Sequence, residues 1–257
     1  MADAQWTGPR GPDVGEWLPV LDLVEPASQR RLTVLVRLLL LIPHFIVLFF
    51  LYIVAFFTAI AGWFAALVLG RLPEPVFRFL AGYLGYRTRV GASAMLLIDR
   101  YPPFALTPPP DFPVQIELRP TELNRLAVFF RLILMIPAAV VQGLATSGWW
   151  VLSFIWWLIT LILGRMPQPL FEASAATLRY EMRFYAYFMM LTPAYPKGLF
   201  GEEALSVPDR QPRSATRPLI MSGAGKALLI LFLVVGVVAD ITASATTDWS
   251  SDSTDRW

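Results

Sequence analysis

The sequence contains no cysteine and a single histidine, His44. Without cysteine there is no disulfide and no thiolate metal site. With one histidine, no Ser/His/Asp set can be assembled that omits His44, and that residue has no second imidazole to share a metal. Charged residues are also scarce, at 16%, where soluble domains average about 25%. The apolar runs hold no Gly-rich phosphate loop and no paired carboxylates of the kind acid/base chemistry uses. These absences point away from an enzyme, and no cofactor, metal or nucleic acid is expected.

Apolar length is what the chain has instead. It is 56% hydrophobic with a mean hydropathy of +0.56. Between Leu38 and Leu69 the only ionisable side chains are His44 and Tyr52. That stretch is longer than the ~20 residues needed to cross a bilayer, so an α-helical integral membrane protein is expected. The first thirty residues lack the apolar core of a signal peptide, and the first apolar run is expected to act as its own insertion signal. Basic residues gather at the ends of apolar runs, as at Arg30, Arg31, Arg100, Arg119, Arg125, Arg210, Arg213, Arg217 and Lys226, while Asp248, Asp252 and Asp255 dominate the tail. By the positive-inside rule the loops and N-terminus are expected in the cytoplasm, with the C-terminus outside.

The chain also repeats itself. Residues 17–106 and 111–200 align without a gap at an offset of 94. Arg31, Arg37, Pro43, Trp63, Tyr86 and Arg89 return as Arg125, Arg131, Pro137, Trp157, Tyr180 and Arg183. Gly70-Arg71-x-Pro73-x-Pro75-x-Phe77 returns as Gly164-Arg165-x-Pro167-x-Pro169-x-Phe171. A residue kept in both copies serves the repeating unit. The expected division is a flexible N-terminus (1–16), repeat 1 (17–106), repeat 2 (111–200), an exposed, mobile polar linker (201–218), a last span (219–241) and a solvated tail (242–257).

Each unit opens on a short strand, Val20 to Val24 and Val114 to Leu118, and the second of these alternates apolar and polar residues. Further candidate strands close the units around Tyr101-Pro102-Pro103-Phe104 and Tyr195-Pro196, giving the parts of a small cytoplasmic sheet. Ser28 and Thr121 are candidate helix N-caps. The apolar runs 31–69 and 125–163 would each rise about 58 Å as straight helices, nearly twice the ~30 Å hydrocarbon core. Two arrangements fit. In the favoured one each run is a hairpin of two short spans, turning near Gln142-Gly143 and Thr146-Ser147-Gly148, and the following segment is an amphipathic surface helix. In the other, residues 43–69 span once and residues 74–98 cross back, carrying Arg87 and Arg89 into the membrane at about 2.5–3.5 kcal/mol per charge. Either gives two crossings per copy, five in all with the last span, and parallel rather than inverted repeats.

Arginine, proline, glycine and tyrosine are what both copies keep. The Gly-Arg-x-Pro motifs read first as helix stops, with Arg71 and Arg165 facing the negative helix end, and second as grips for a lipid phosphate. Tyr86 with Arg89, and Tyr180 with Arg183, share a helix face. With Arg87 and Arg179 they form either a solvated or interfacial stripe or an anion site, and Glu181 is available to pair with an arginine. Arg37 and Arg131 are expected to snorkel to the interface, and Pro43 and Pro137 to kink their helices. His44 is replaced by Ala138 in the second copy and reads as structural. Trp149-Trp150 and Trp156-Trp157, seven apart, are expected to pack against a partner or lipid.

The residues from Arg37 to His44, Gly70 to Phe77 and Tyr101 to Phe104 resemble a family of actinobacterial membrane proteins, domain-of-unknown-function family 4389. The second copy departs at Ala138 and at Lys197-Gly198. The resemblance implies a bacterial inner-membrane location and supplies no activity. The expected function is a non-enzymatic accessory or scaffold protein that binds phospholipid through its basic face and a membrane partner, another subunit or a second copy of itself. The alternative is a small transporter with a path lined by Arg87, Arg89 and Arg183.

Overall fold

In a computed structural model, which describes residues 17–24, 28–202 and 214–252, the chain is mainly helical with one small sheet. Strand β1 (Val20–Leu23) is followed by helices α1 (Arg31–Leu69) and α2 (Glu74–Ala94). Strand β2 (Val114–Glu117) is followed by α3 (Arg125–Phe129), α4 (Arg131–Leu134), α5 (Ile136–Val151), α6 (Ser153–Leu163) and α7 (Gln168–Phe188). The last helix is α8 (Gly223–Asp252).

The hairpin expected in each apolar run is absent. In repeat 1 the run is one uninterrupted 39-residue helix with Pro43 inside it. In repeat 2 it is four helices, and α5 and α6 meet at a bend of 54°. The polar residues expected to turn the chain stay helical because they bond locally: Gln142 Nε2 donates to Thr146 Oγ1 (3.1 Å) and Ser147 Oγ to the Leu144 carbonyl (3.3 Å). The helix stops are as expected, with Gly70 and Gly164 left-handed at φ 70° and 67°. The caps differ. Ser28 and Thr121 lie outside the helices; α3 is capped by Asn124, whose side chain accepts from Leu126 N (3.0 Å), and α1 has no side-chain cap.

The two opening strands pair with each other, antiparallel, Val20 opposite Glu117 and Leu23 opposite Val114. The proline-rich closing segments around Tyr101 and Tyr195 are not strands, since proline has no N–H to offer a ladder. Residues 214–217 of the expected linker dock on this sheet: Ala215 N donates to the Leu23 carbonyl (2.7 Å), and Thr216 Oγ1 accepts from Leu23 N (2.9 Å). Residues 203–213 lie outside the described residues. The expected tail is helical as far as Asp252.

The repeats exchange equivalent contacts. Gln29 N donates to the Gly164 carbonyl (2.8 Å), and Leu123 N to the Gly70 carbonyl (2.7 Å). Trp157 Nε1 donates to the Val34 carbonyl (2.9 Å), and Trp63 Nε1 to the Val128 carbonyl (3.0 Å). Each pair maps onto the other at the 94-residue offset, so the units are related by a local twofold rotation. The start of α1 meets the end of α6, and its end meets α3, so the two apolar runs lie antiparallel.

Two layers back these runs. Helix α2 folds antiparallel onto α1, with Gly62 against Val76 and His44 against Tyr86. Helices α2 and α7 cross at the twofold axis, and the strand pair lies behind them, Ile116 reaching Gly85 in mid-α2. Helix α7 is not the expected surface helix: 16 of its 21 residues are buried, so it is the core. Two helices, α1 and α8, are long and apolar enough to cross a membrane, or three if the bent α5–α6 pair counts as one; five are not found among the described residues.

Candidate functional site

The twofold axis passes between Arg87 and Glu181, which are the same position in the two repeats. They form an ion pair at 2.6 Å with side-chain exposures of 32% and 15%. The Arg87 guanidinium also lies 4.1 Å from the centroid of the Tyr185 ring. Burial works against the Arg87 charge, but Glu181 and Tyr185 outweigh it and raise its pKa. Above this pair α1 and α5 stand apart, leaving a cavity of about 370 Å³ walled by Phe45, Phe49, Tyr52 and Trp150, with Tyr83 and Thr88 near its floor. An apolar groove of about 290 Å³ continues from it between Leu38, Phe154 and Trp157.

Four of the repeated arginines, Arg37, Arg131, Arg89 and Arg183, lie elsewhere, and they are buried. Arg37 and Arg131 do not reach an interface: they are 3% and 2% exposed. Each closes the C-terminal turn of the next long helix in its unit. Arg37 donates to the Ile98 carbonyl and pairs with Asp99 at 2.9 Å. Arg131 donates to the carbonyls of Tyr187 (2.7 Å) and Thr192 (3.3 Å). These turns carry Leu96 and Met190, another repeat-equivalent pair, in left-handed conformations (φ 61° and 59°). That conformation costs ~1–2 kcal/mol for a side chain with a Cβ, and the guanidinium bonds hold the turns closed.

Arg89 and Arg183 tie α2 and α7 to the closing segments. Arg89 donates to the carbonyls of Ala105 and Leu106. Arg183 donates to the carbonyls of Lys197 (2.9 Å) and Pro19 (3.1 Å). Repeat 2 adds Arg179, where repeat 1 has Gly85, and one carboxylate answers both cations: Glu202 Oε1 lies 3.1 Å from Arg179 and 2.6 Å from Arg183. Burial and the neighbouring Arg183 disfavour the Arg179 charge, and Glu202 supports it. Glu202→Gln keeps an acceptor and removes the charge. It is expected to lower stability by about 2 kcal/mol, read as a lower melting temperature in detergent. A variant as stable as the parent would show that two adjacent buried guanidiniums need no counter-charge.

His44 is packed as a structural residue. It is fully buried, its Nδ1 lies 2.6 Å from Tyr86 Oη, and its ring stacks on Phe104 at 3.9 Å. Tyr101 completes the box at 4.8 Å. Tyr180, in copy 2, is also buried, and burial with Tyr195 nearby pushes its hydroxyl up to about 12. Trp149 and Trp156 are buried within the chain, Trp149 Nε1 donating to Ser174 Oγ (2.8 Å) and Trp156 meeting Phe232 of α8 at 5.9 Å. Trp157 is half-buried, and Trp150 is exposed on the cavity wall.

Arg71 and Arg165 remain exposed at the helix stops. The arginine beside each stop comes from the other repeat. Arg125 Nε would lie 3.6 Å from a Cβ on Gly70, and Arg31 Nε 3.8 Å from one on Gly164. Arg31 donates to the Ile162 carbonyl in the last turn of α6 (3.2 Å), where a cation suits the negative end of the helix. The exposed arginines at the helix stops therefore fall into two symmetric pairs, Arg71 with Arg125 and Arg165 with Arg31.

Sequence reasoning missed Glu202, placed in the linker, and Glu172, whose Oε2 accepts from Ser222 N (2.8 Å) and Oγ (2.6 Å) and ties α7 to the start of α8. It made Glu181 available to an arginine without saying which; the partner is Arg87, its own equivalent in the other repeat.

The family described as Domain of unknown function (DUF4389) matches residues 31–105 and 125–199. No curated protein and no solved structure matches the chain. The actinobacterial source implied by the resemblance is not borne out.

Proposed function

The chain belongs to the DUF4389 family, in two tandem copies, and from that premise we propose that it is a non-enzymatic accessory or scaffold protein of a bacterial inner membrane. Long apolar helices hold it in the bilayer, its basic layer faces the cytoplasm, and it binds anionic phospholipid and a membrane partner. The observation that carries this reading is the sorting of the arginines. Those buried inside are bonded to the chain's own carbonyls and carboxylates. Among those left exposed, Arg78, Arg100 and Arg119 pair with Glu74, Asp111 and Glu117, whereas Arg31, Arg71, Arg125 and Arg165 lie at the ends of apolar helices, the level of lipid phosphates. The transporter reading would need Arg87, Arg89 and Arg183 along one path. Arg89 and Arg183 bond to the closing segments instead, and only Arg87 lines the cavity.

The nine native tryptophans allow a direct test by fluorescence quenching with brominated lipids. The parent should prefer phosphatidylglycerol over phosphatidylcholine. At ~1 kcal/mol per surface arginine, Arg71→Gln with Arg165→Gln should reduce that preference roughly 30-fold, with an unchanged melting temperature. An undiminished preference would remove the lipid-binding assignment. Co-purification in mild detergent tests the partner: retention of neither lipid nor another membrane protein would count against the scaffold reading as a whole.

A further inference from the structure

The depth at which the repeats sit follows from how their layers are stacked. The two apolar runs form one layer, antiparallel to each other. Helices α2 and α7 form the second, crossing at Arg87 and Glu181. The strand pair forms the third, on the twofold axis behind the middle of α2, where Ile116 meets Gly85. Helix α2 runs back along α1 between the Gly62–Val76 contact and the Arg37–Ile98 bond. The strands are therefore level with the middle of the long helices, not with their ends.

The outer face of the strand pair is charged. Arg119 pairs with Glu117 at 2.7 Å, and Arg217 with Glu117 at 3.1 Å and Asp22 at 3.5 Å. If α1 ran along the bilayer normal, these four charges would lie near mid-membrane, each costing about 2.5–3.5 kcal/mol. So would the strand pair and the irregular segment 214–217 docked on β1, backbone that hydrocarbon does not tolerate where lipid reaches it. Turning the long helices into the membrane plane removes both costs. The strands then face water, and the opposite side of the molecule faces lipid. That side is apolar along both runs, with Phe50, Phe57 and Phe64 exposed on α1 and Leu132, Ile133 and Phe154 on the other.

We propose that both repeats insert into one leaflet only, with α1 and α3–α6 lying in the membrane plane and neither run crossing it. The dimensions agree. A helix with its side chains is about 10–12 Å across, and one leaflet offers about 15 Å of hydrocarbon, half of the ~30 Å core. The exposed arginine pairs, Arg71 with Arg125 and Arg165 with Arg31, then lie at the two ends of the apolar layer at a single headgroup level. The twofold axis becomes the membrane normal, so the repeats share one orientation. Length and apolarity alone make α1 a candidate span; the position of the charged strands behind its middle argues against that use of it.

This inference rests on the membrane reading above, and one preparation tests the two separately. The absence of cysteine allows single cysteines at four exposed, repeat-equivalent positions: Ser28→Cys and Glu122→Cys before the runs, Glu74→Cys and Gln168→Cys after them. Vesicle flotation comes first. A chain that does not float with lipid defeats the membrane reading and this inference with it. In sealed vesicles of uniform protein orientation, an impermeant maleimide should label all four positions from the same side, to within twofold of one another. If the runs cross the bilayer, 28 and 168 will label from one side and 74 and 122 from the other, which overturns the one-leaflet insertion and leaves the membrane reading intact. All four positions are exposed, so the variants should fold, and the melting temperature of each checks this.

Discussion

Gly148→Leu and Gly236→Leu, made singly, will each release α8 from α5. A Cβ on Gly148 would fall on the carbonyl oxygen of Phe232 in α8, and one on Gly236 on the carbonyl oxygen of Leu144 in α5. The obstacle in both cases is backbone, which cannot rotate aside as a side chain can. The helices cross here at the close approach that small residues permit between apolar helices. Ordinary overpacking costs about 1–3 kcal/mol, and displacing a helix backbone belongs at or above the top of that range. Even Gly148→Ala should weaken docking. Gly143, which has nothing within 4 Å of a Cβ position, is the control: Gly143→Ala should leave the melting temperature unchanged or slightly raised. Protease sensitivity at the start of α8, where Ser222 bonds Glu172, reports undocking. Resistance and melting temperature equal to the parent's in both leucine variants would show that the helices do not meet at these glycines.

Charge reversal at the twofold axis should have an effect of comparable size. Glu181→Arg places two guanidinium groups where one ion pair stood at 2.6 Å. Breaking a buried pair costs about 3–5 kcal/mol because one charge is left without its partner. Arg87 keeps some contact with solvent, so Glu181→Leu should fall toward the lower end and Glu181→Arg toward the upper. Position 87 and position 181 are equivalent, which leads to a sharper expectation. Arg87→Glu combined with Glu181→Arg exchanges the two residues across the axis and should recover most of the loss, giving a strongly favourable coupling in a double-mutant cycle. Arg87→Leu with Glu181→Leu should be close to neutral in stability, since an apolar pair of similar volume avoids the desolvation cost. Melting in detergent measures all of these. A charge-exchanged chain no more stable than the single reversals would mean that the two sites are not equivalent in their surroundings.

The repeat carried more structural information than its motifs did. Its offset marked the two opening strands and the two left-handed helix stops at Gly70 and Gly164, but not that the opening strands pair with each other or which residues meet across the axis. The run 31–69 was legible as helical and apolar, but not as unbroken. Gln142, Gly143, Thr146, Ser147 and Gly148 have the composition of a turn, yet the hydroxyls and amide bond within the helix and Gly148 accommodates α8. Composition records that a residue is small and polar. It does not record which neighbour makes use of that.

The sequence alone determined the class of the chain, its duplication and where its long helices stop, because each depends on residues close together or on a constant offset. The tertiary structure alone decided which arginines are available to a ligand. Arg37, Arg89, Arg131, Arg179 and Arg183 looked like a basic face because their acceptors are mostly backbone carbonyls, which every residue carries and no pattern marks. Their burial depends on carbonyls and carboxylates brought in by folding from as far as Pro19 to Arg183, and a charge is buried only where such acceptors converge. The same holds for the long helices: hydropathy reports that α1 is long and apolar enough to cross a membrane, and only the tertiary structure places the charged strand pair behind its middle.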